Sequence, residues 1–233
     1  MLDIIHDSKN LLVLNKPSDI SMLADRSGAP CFWDQIKTEL APERPYLVHR
    51  LDKGTSGVLL VARNQTTQRQ LTRALQARTV AKFYLAWVVG RLETSTTQRI
   101  DLPLRRGRKS RFRVAGPRDQ IERNGSKWQL KLPDAQPNQT AAEAGLESKT
   151  HLRTLLSSAE RSLLLVRPIS GRTHQLRVHL SWIGHPIMGD HLYGQPASPQ
   201  QSAPRLQLHC HRLRVPGFGS FAVRPKAGWL PDL

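Results

Sequence analysis

The chain has 233 residues, and its 35 lysines and arginines against 18 aspartates and glutamates give a formal net charge of +17. The hydrophobic fraction of 39% is enough for a sizeable core, which excludes a fully disordered chain, and every apolar run is far shorter than the roughly 20 residues of a membrane span. A charge this high on a chain of one or two domains favours a polyanionic partner, most often nucleic acid.

The first part of the chain alternates between apolar runs and polar breaks. Short buried strands are predicted at Leu11–Leu14 and Val58–Ala62, where apolar runs end at turn-forming or polar residues. Apolar residues at every fourth position predict a helix over Phe32–Leu40. A second helix is predicted over Gln65–Arg78, with Asn64 as its cap. One face of this helix is basic, which suits a phosphate backbone but is equally typical of a solvated surface.

A strand and a basic block follow. The strand is predicted at Ala81–Val89 from strict alternation, and Lys82 and Tyr84 share the less apolar of its two faces. In the block Arg105–Arg113, six of nine residues are lysine or arginine. Such blocks are often only solvated surface, but Phe112 within it favours an RNA-contacting loop or hairpin. The RNA contacts expected from this block are Arg105, Arg106, Arg108, Lys109 and Arg111.

The rest of the chain begins with a segment rich in glycine, proline, asparagine and glutamine. We predict that residues 115–148 form a loop-rich insertion within a single domain, with one short strand at Lys127–Leu132. The remaining predicted elements are two strands, a helix and a hairpin, at Lys149–Leu156, Arg161–Ile169, Thr173–Gly184, and Arg205–Val215 with Ser220–Arg224. Strands outnumber helices and do not alternate with them, which predicts an α+β fold with a mixed, mainly antiparallel sheet.

The amino terminus and the cysteines indicate the compartment. The first seven residues lack the basic start and apolar stretch of a secretory signal, so we expect a cytoplasmic protein. Cys31 and Cys210 are too few for a disulfide framework and are predicted to be buried thiols. His209 and His211 flank Cys210, but on a strand they share a face while the cysteine points away. No third ligand has a recognised spacing, so no metal site is expected.

The densest candidate site is the segment His49–Gly57, which reads His-Arg-Leu-Asp-Lys-Gly-Thr-Ser-Gly. A carboxylate, Asp52, lies in a loop with two glycines and two hydroxyl side chains, directly before an apolar strand. Rigid strands often present catalytic groups on such loops. On local chemistry alone, an ordinary turn with a capping aspartate explains the segment equally well.

This segment resembles the signature of the RluA-type pseudouridine synthases, H-R-L-D-x-x-T-S-G, and all of its specified positions are met. Five further segments are similar to the same family in the same order, namely Asn15–Pro17, Lys82–Ala86, Gly171–His179, His185–Asp190 and Arg205–His209. The chain is therefore identified as a member of this family, as one catalytic domain over residues 1–233. We expect the form without the amino-terminal S4 RNA-binding domain that many relatives carry.

The resemblance implies a pseudouridine synthase fold with a basic central cleft. It also implies the reaction, in which a uridine of ribosomal or transfer RNA loses its N1 glycosidic bond and is rejoined through C5, with no cofactor. Asp52 is then the essential carboxylate, as a nucleophile at C1′ or a base at C2′. Tyr84 matches the tyrosine that stacks on the base and is a candidate to remove the C5 proton. Arg177 matches the arginine that pairs with the aspartate.

Further RNA contacts are expected around these groups. Taking a uridine out of its stack leaves a gap, and His49 and Arg50 are the candidates to fill it. Lys82 lies on the same strand face as Tyr84 and is expected to contact RNA. Arg172 and Thr173, at a predicted helix start, have N–H groups that suit a phosphate, although an ordinary threonine cap is the alternative.

We expect the protein to be a monomer. Two other functions are compatible with the sequence. A non-catalytic RNA-binding or ribosome-assembly factor could use the same fold, but binding alone does not need Asp52 in a site for polyanions. An RNA N-glycosidase usually needs a second carboxylate to handle water, and no motif supplies one.

Overall fold

The chain divides into two compact units, one built from Met1–Tyr84 and Leu208–Trp229 and the other from Leu85–Gln207. These boundaries come from a computed structural model, which describes residues 1–24, 28–94, 96–108, 111–131, 144–194, 203–226 and 228–229. The single domain expected from the sequence stays a prediction. Each unit is described in turn.

The first unit is centred on two strands that are buried along their whole length. Its strands are β1 (Ile4–Asp7), β2 (Leu11–Lys16), β3 (Tyr46–Leu47), β4 (Ser56–Ala62), the first part of β5 (Ala81–Val89), β13 (Leu208–Val215) and β14 (Gly219–Ala222). Four of them are ordered β1-β2-β4-β13, with β3 on β4 and β14 on β13. Every residue of β2 and β4 is buried, which confirms the two strands predicted from apolar runs.

Gly57 allows β4 and β13 to approach each other closely. These two strands pair in parallel, with Gly57 opposite Cys210. The φ of Gly57 is +114°, and a Cβ atom there would lie 2.3 Å from the carbonyl oxygen of Cys210. Only glycine fits such a position, so the last residue of the motif is explained by backbone packing.

The helices of the first unit are α1 (Phe32–Leu40) and α2 (Gln65–Gln76). The bounds of α1 are those predicted, and it buries the first two residues of its apolar stripe. In α2 the side chain of Asn64 accepts a hydrogen bond from the N–H of Thr67 at 2.9 Å, which confirms the predicted cap. The helix ends two residues before the predicted end.

Among its described residues, the second unit contains the rest of β5 and the strands and helix that follow. These are β6 (Gln98–Asp101), β7 (Leu104–Arg106), β8 (Phe112–Val114), β9 (Ile121–Asn124), β10 (Lys127–Leu130), β11 (Lys149–Ser157), β12 (Arg161–Pro168) and α3 (Gln175–Trp182). Five strands are ordered β12-β11-β6-β10-β9, and β7 and β8 form a separate hairpin. In that order only β6 and β10 are parallel. The predicted α+β fold with a mixed, mainly antiparallel sheet is confirmed.

The insertion predicted as mostly loop is more regular than expected. Its described part contains a 3₁₀ turn at Arg118–Gln120 and the antiparallel hairpin β9–β10. Strand β10 pairs with β6, so the hairpin extends the sheet of the second unit. The missed signal is the two-residue turn Gly125-Ser126 between short runs, where the φ of Gly125 is +56°. Residues 132–143 lie outside the described residues.

The cysteines and the paired histidines of β13 follow the predictions. Cys31 and Cys210 are buried free thiols. The ring nitrogens His209 Nε2 and His211 Nδ1 lie 3.0 and 2.8 Å from the carbonyl oxygen of Val223, which places both rings on one face. Among the described residues, no group of three or more histidine, cysteine or acidic side chains could hold a metal ion. None of the helices described is long and apolar enough to cross a membrane.

Candidate active site

The motif His49–Gly57 forms the loop that leads into β4. Asp52 is half-buried near its centre, and the N–H of Thr55 donates to the carbonyl oxygen of Asp52 at 3.0 Å, closing a tight turn. The strand that follows is buried throughout. The carboxylate therefore lies on a short, well-anchored turn, as a catalytic group requires.

A buried lysine anchors this turn from inside the first unit. Lys16, at the end of β2, is fully buried, and its Nζ lies 2.9 to 3.4 Å from four carbonyl oxygens, those of Pro17, Asp52, Lys53 and Thr55. A buried ammonium needs such acceptors, because its desolvation is costly. This role of Lys16 was not predicted; the available signal was a lysine two residues after the apolar run Leu11–Leu14.

Lys82 and Tyr84 share a face of β5, as predicted, and both interact with Cys210 on β13. The Cys210 thiol is the neighbour that influences the pKa of both side chains. Burial, the neighbouring Cys210 and the charge of Asp52 raise the pKa of Tyr84 well above its usual value. Burial likewise raises the pKa of the Cys210 thiol to about 12 and lowers that of Lys82. At neutral pH the tyrosine is therefore a protonated phenol whose pKa also responds to the proposed catalytic carboxylate.

The state of Cys210 gives a prediction on thiol reactivity. Because the thiolate is the reactive form, a fully buried thiol with a pKa of about 12 should not react with a disulfide reagent at pH 8. Cys31 is also buried, so we expect the folded protein to release far less than one equivalent of chromophore, and the denatured protein two. Rapid labelling of Cys210 in the folded protein would show that the Cys210 thiol is not buried beside Tyr84.

His49 does not lie where a wedge into RNA would require it. Its Nε2 accepts a hydrogen bond from the N–H of Leu60 at 3.0 Å, and its Nδ1 is buried. A ring held within the fold cannot enter a base stack, so this prediction for His49 is wrong. Arg50 is exposed, and its role as a wedge stays a prediction.

His49 should instead make the stability depend on pH. Burial, together with the charge of Lys82, lowers the pKa of His49 to about 3. The folded state therefore holds a neutral ring, whereas the unfolded chain binds a proton below pH 6.5. The contribution is complete above about pH 6.5 and falls by about 1 kcal/mol per pH unit as the pH drops toward 3. Urea unfolding of His49→Gln should show a shallower loss over this range, while exposed His191→Gln should match the wild type.

Arg177 belongs to the second unit, where it is buried on α3. Its Nε and Nη2 donate to the two carboxylate oxygens of Asp190 at 2.8 and 2.7 Å. Asp190 also accepts from the N–H groups of Leu192 and Tyr193. This bidentate pair fixes the plane of the guanidinium, a geometry that lysine cannot reproduce. Sequence reasoning placed Asp190 in a motif but did not identify it as the partner of Arg177.

The basic block forms the hairpin of β7 and β8, as predicted. Arg106, Arg108 and Arg111 are exposed, and Arg105 is partly so. Lys109 lies outside the described residues. The arrangement presents several guanidinium groups on a narrow element, which suits contact with phosphates.

The start of α3 differs from the prediction. The helix begins at Gln175 and not at Thr173, and its amino-terminal flanking residue, His174, has no side-chain cap. The Gln175 side chain accepts a hydrogen bond from the Arg172 N–H at 3.0 Å. That N–H is already used within the protein, so the prediction of a phosphate bound by a free N–H of Arg172 is wrong. Thr173 is exposed.

Comparison with known proteins identifies the family. The family model described as RNA pseudouridylate synthase matches residues 10–182, which is most of the chain. The chain belongs to the RNA pseudouridine synthase family. A dual-specificity RNA pseudouridine synthase RluA of Salmonella typhi is 32% identical to this synthase over 224 residues, covering 94% of the chain and 90% of the relative. The protein of the same name from Escherichia coli K12 is 31% identical over the same coverage.

Two further likenesses support this placement. The ribosomal large subunit pseudouridine synthase D of Nitrosomonas europaea is 31% identical over 225 residues, covering 92% of this synthase and 58% of the relative. The solved structure of human RNA pseudouridylate synthase domain containing 1 is 27% identical, with a TM-score of 0.72 over 99% of this chain and 85% of that chain. The chain is thus an RluA-type RNA pseudouridine synthase, and its reaction is an isomerisation.

Proposed function

We propose that this synthase isomerises uridines in ribosomal or transfer RNA, and that Asp52 is the carboxylate on which the reaction depends. The observation that carries the proposal is the anchored turn of the family motif, in which a buried ammonium bonds the carbonyl groups of Asp52, Lys53 and Thr55. The name of one relative, a ribosomal large subunit pseudouridine synthase, supports ribosomal RNA as a target, and the name of another, a dual-specificity RNA pseudouridine synthase, supports more than one target. We also propose a cytoplasmic monomer that needs no cofactor and has a basic central cleft.

The reaction conserves all atoms of the nucleotide. The N1–C1′ bond breaks, the uracil turns, C5 bonds to C1′, and the proton on C5 leaves. Asp52 acts either as a nucleophile at C1′ or as a base at C2′, and in both cases it must be ionised. The proposed role of Tyr84 is to stack on the base and to take up the C5 proton. Since its raised pKa keeps the phenol protonated, Tyr84 can take up the C5 proton only as a relay that releases its own hydroxyl proton to solvent at the same time.

The remaining proposed roles concern charge. Arg177 is assigned to pairing with Asp52, as the family resemblance implies, because a guanidinium keeps a nearby carboxylate ionised. Exposed Arg50 fills the gap left by the flipped uridine, and the hairpin of β7 and β8 contacts the backbone. Lys82 and Thr173 are also proposed to contact the RNA. Phosphate contacts of this kind release counterions, so RNA affinity should fall steeply with salt.

The target and the reaction class can be tested together. Pseudouridine is mapped in ribosomal and transfer RNA from cells with and without the gene, and transcripts that span each lost site are tritiated at uridine C5. We expect the purified protein to release tritium and to form pseudouridine in these transcripts. Free uracil would instead indicate an RNA N-glycosidase, and tight binding without release would indicate a non-catalytic RNA-binding factor.

A further inference from the structure

Tyr193, which belongs to none of the motifs above, lies against Arg177 in the second unit. The Cζ atom of Arg177 is 5.2 Å from the centre of the Tyr193 ring, a cation–π distance. Asp190 is hydrogen-bonded to both residues. Its Oδ1 accepts from Arg177 Nη2 at 2.7 Å and from the Tyr193 N–H at 3.1 Å. The guanidinium is thus held along one edge by the carboxylate and on one face by the ring.

The Tyr193 hydroxyl connects this ring to the basic hairpin of β7 and β8. It accepts a hydrogen bond from the N–H of Phe112, the first residue of β8, at 2.9 Å. It also lies 2.8 Å from His174 Nδ1. The rings of Phe112 and His174 meet edge to face at 6.1 Å, and those of His174 and Tyr193 at 5.6 Å. We refer to Phe112, His174 and Tyr193 as the aromatic cluster.

His174 shows that the cluster holds the backbone in an uncommon conformation. Its φ is +54°, in the left-handed region that non-glycine residues seldom adopt. Such a conformation is unfavourable for a residue with a side chain and persists only where the surroundings hold it. The residue lies three positions before Arg177, at the start of the same helix. The contacts of its ring therefore bear directly on where α3 begins.

We propose that Tyr193 is a positioning residue for Arg177, and that the aromatic cluster couples the basic hairpin to the guanidinium. The inference rests on the proposed function of Arg177. RNA phosphates bound to the hairpin hold it where it lies in this structure, with the Phe112 N–H donating to the Tyr193 hydroxyl. The ring then stays against Arg177. A tyrosine that only stabilised the fold would affect the melting temperature and leave the reaction rate at low temperature unchanged.

A double-mutant cycle tests the first part. Single-turnover rates are measured at saturating RNA, well below the melting temperature of every variant. We expect Tyr193→Leu to slow the wild-type enzyme by about 10- to 100-fold, because small displacements of a catalytic group are costly. In an Arg177→Lys background, where the planar guanidinium is gone, the same change should cost no more than about twofold. Losses that multiply fully would overturn the inference.

The same double-mutant cycle also tests the proposed function of Arg177 separately. Arg177→Lys alone should be slow; if it turned over at the wild-type rate, the role of Arg177 would be wrong, and the inference with it. If Arg177→Lys were slow and Tyr193→Leu were as fast as wild type, only the positioning role would be overturned. A further variant, Tyr193→Phe, removes only the hydroxyl of Tyr193. Its matched control is Tyr46→Phe in β3, which should react at the wild-type rate.

The second part is tested with Tyr193→Phe, which keeps the ring and removes only the hydroxyl. The Phe112 amide should exchange its hydrogen at least ~10-fold faster, since it loses its acceptor. The Ala115 amide, which donates to the carbonyl oxygen of Pro103 at 2.8 Å, should be unchanged. The single-turnover rate should fall by roughly 3- to 10-fold. Unchanged exchange at Phe112, or an unchanged rate, would overturn the coupling between hairpin and guanidinium.

Discussion

Asp52→Asn is expected to release tritium from C5-labelled RNA at least ~10³-fold more slowly than the wild type. The amide has nearly the shape of the carboxylate but neither attacks C1′ nor removes a proton from C2′. The Asp52 turn is held by backbone carbonyl groups bonded to a buried ammonium, and the substitution leaves those carbonyls in place. The variant should therefore fold and bind RNA with little change in affinity.

The control for this prediction is Asp34→Asn, the same chemical change at an exposed aspartate on α1. It should release tritium at the wild-type rate and unfold at a similar urea concentration. RNA affinity is measured for both variants by filter binding at two salt concentrations. Equal tritium release from Asp52→Asn and the wild type would contradict the proposed mechanism. Circular dichroism at the assay temperature shows whether the variant is folded. A loss of release therefore counts as a chemical effect only in folded protein.

Elements defined by local patterns were predictable from the sequence. The bounds of α1 and β5 match the predictions, and Asn64 caps α2, because periodicity and capping depend on residues a few positions apart. The start of α3 was missed for a physical reason. The Gln175 side chain bonds the N–H of Arg172 and the hydroxyl of Ser170, and this competes with the threonine cap that the local sequence favours.

Within the candidate site, the motif identified Asp52 but not the residues that support it. Lys16 lies 36 positions before Asp52, and only the fold brings its ammonium to that turn. The same holds for His49, whose ring accepts from a backbone N–H of β4 and so points into the protein. Contacts between distant segments decide both cases, and a single sequence carries no periodic signal for them.

Lys16→Met should lower the free energy of unfolding by about 3 kcal/mol, because the change removes a buried charge on which several acceptors depend. The methionine side chain fills similar space, so the loss comes mainly from carbonyl groups left without their donor. Three of these carbonyls belong to Asp52, Lys53 and Thr55 in the motif loop. We therefore expect the folded variant to release tritium about 10²-fold more slowly, as the carboxylate is no longer held in place.

Lys37→Met is the matched control, because Lys37 is half-exposed and pairs with Asp34 at 2.6 Å on the surface of α1. Exposed ion pairs contribute little, so its free energy of unfolding should change by less than about 0.5 kcal/mol and its rate should not change. Urea unfolding gives the first quantity and tritium release at low temperature the second. A Lys16→Met protein as stable and as active as Lys37→Met would contradict the anchoring of Asp52 by the buried ammonium, since the lost bonds would then support neither the fold nor the carboxylate.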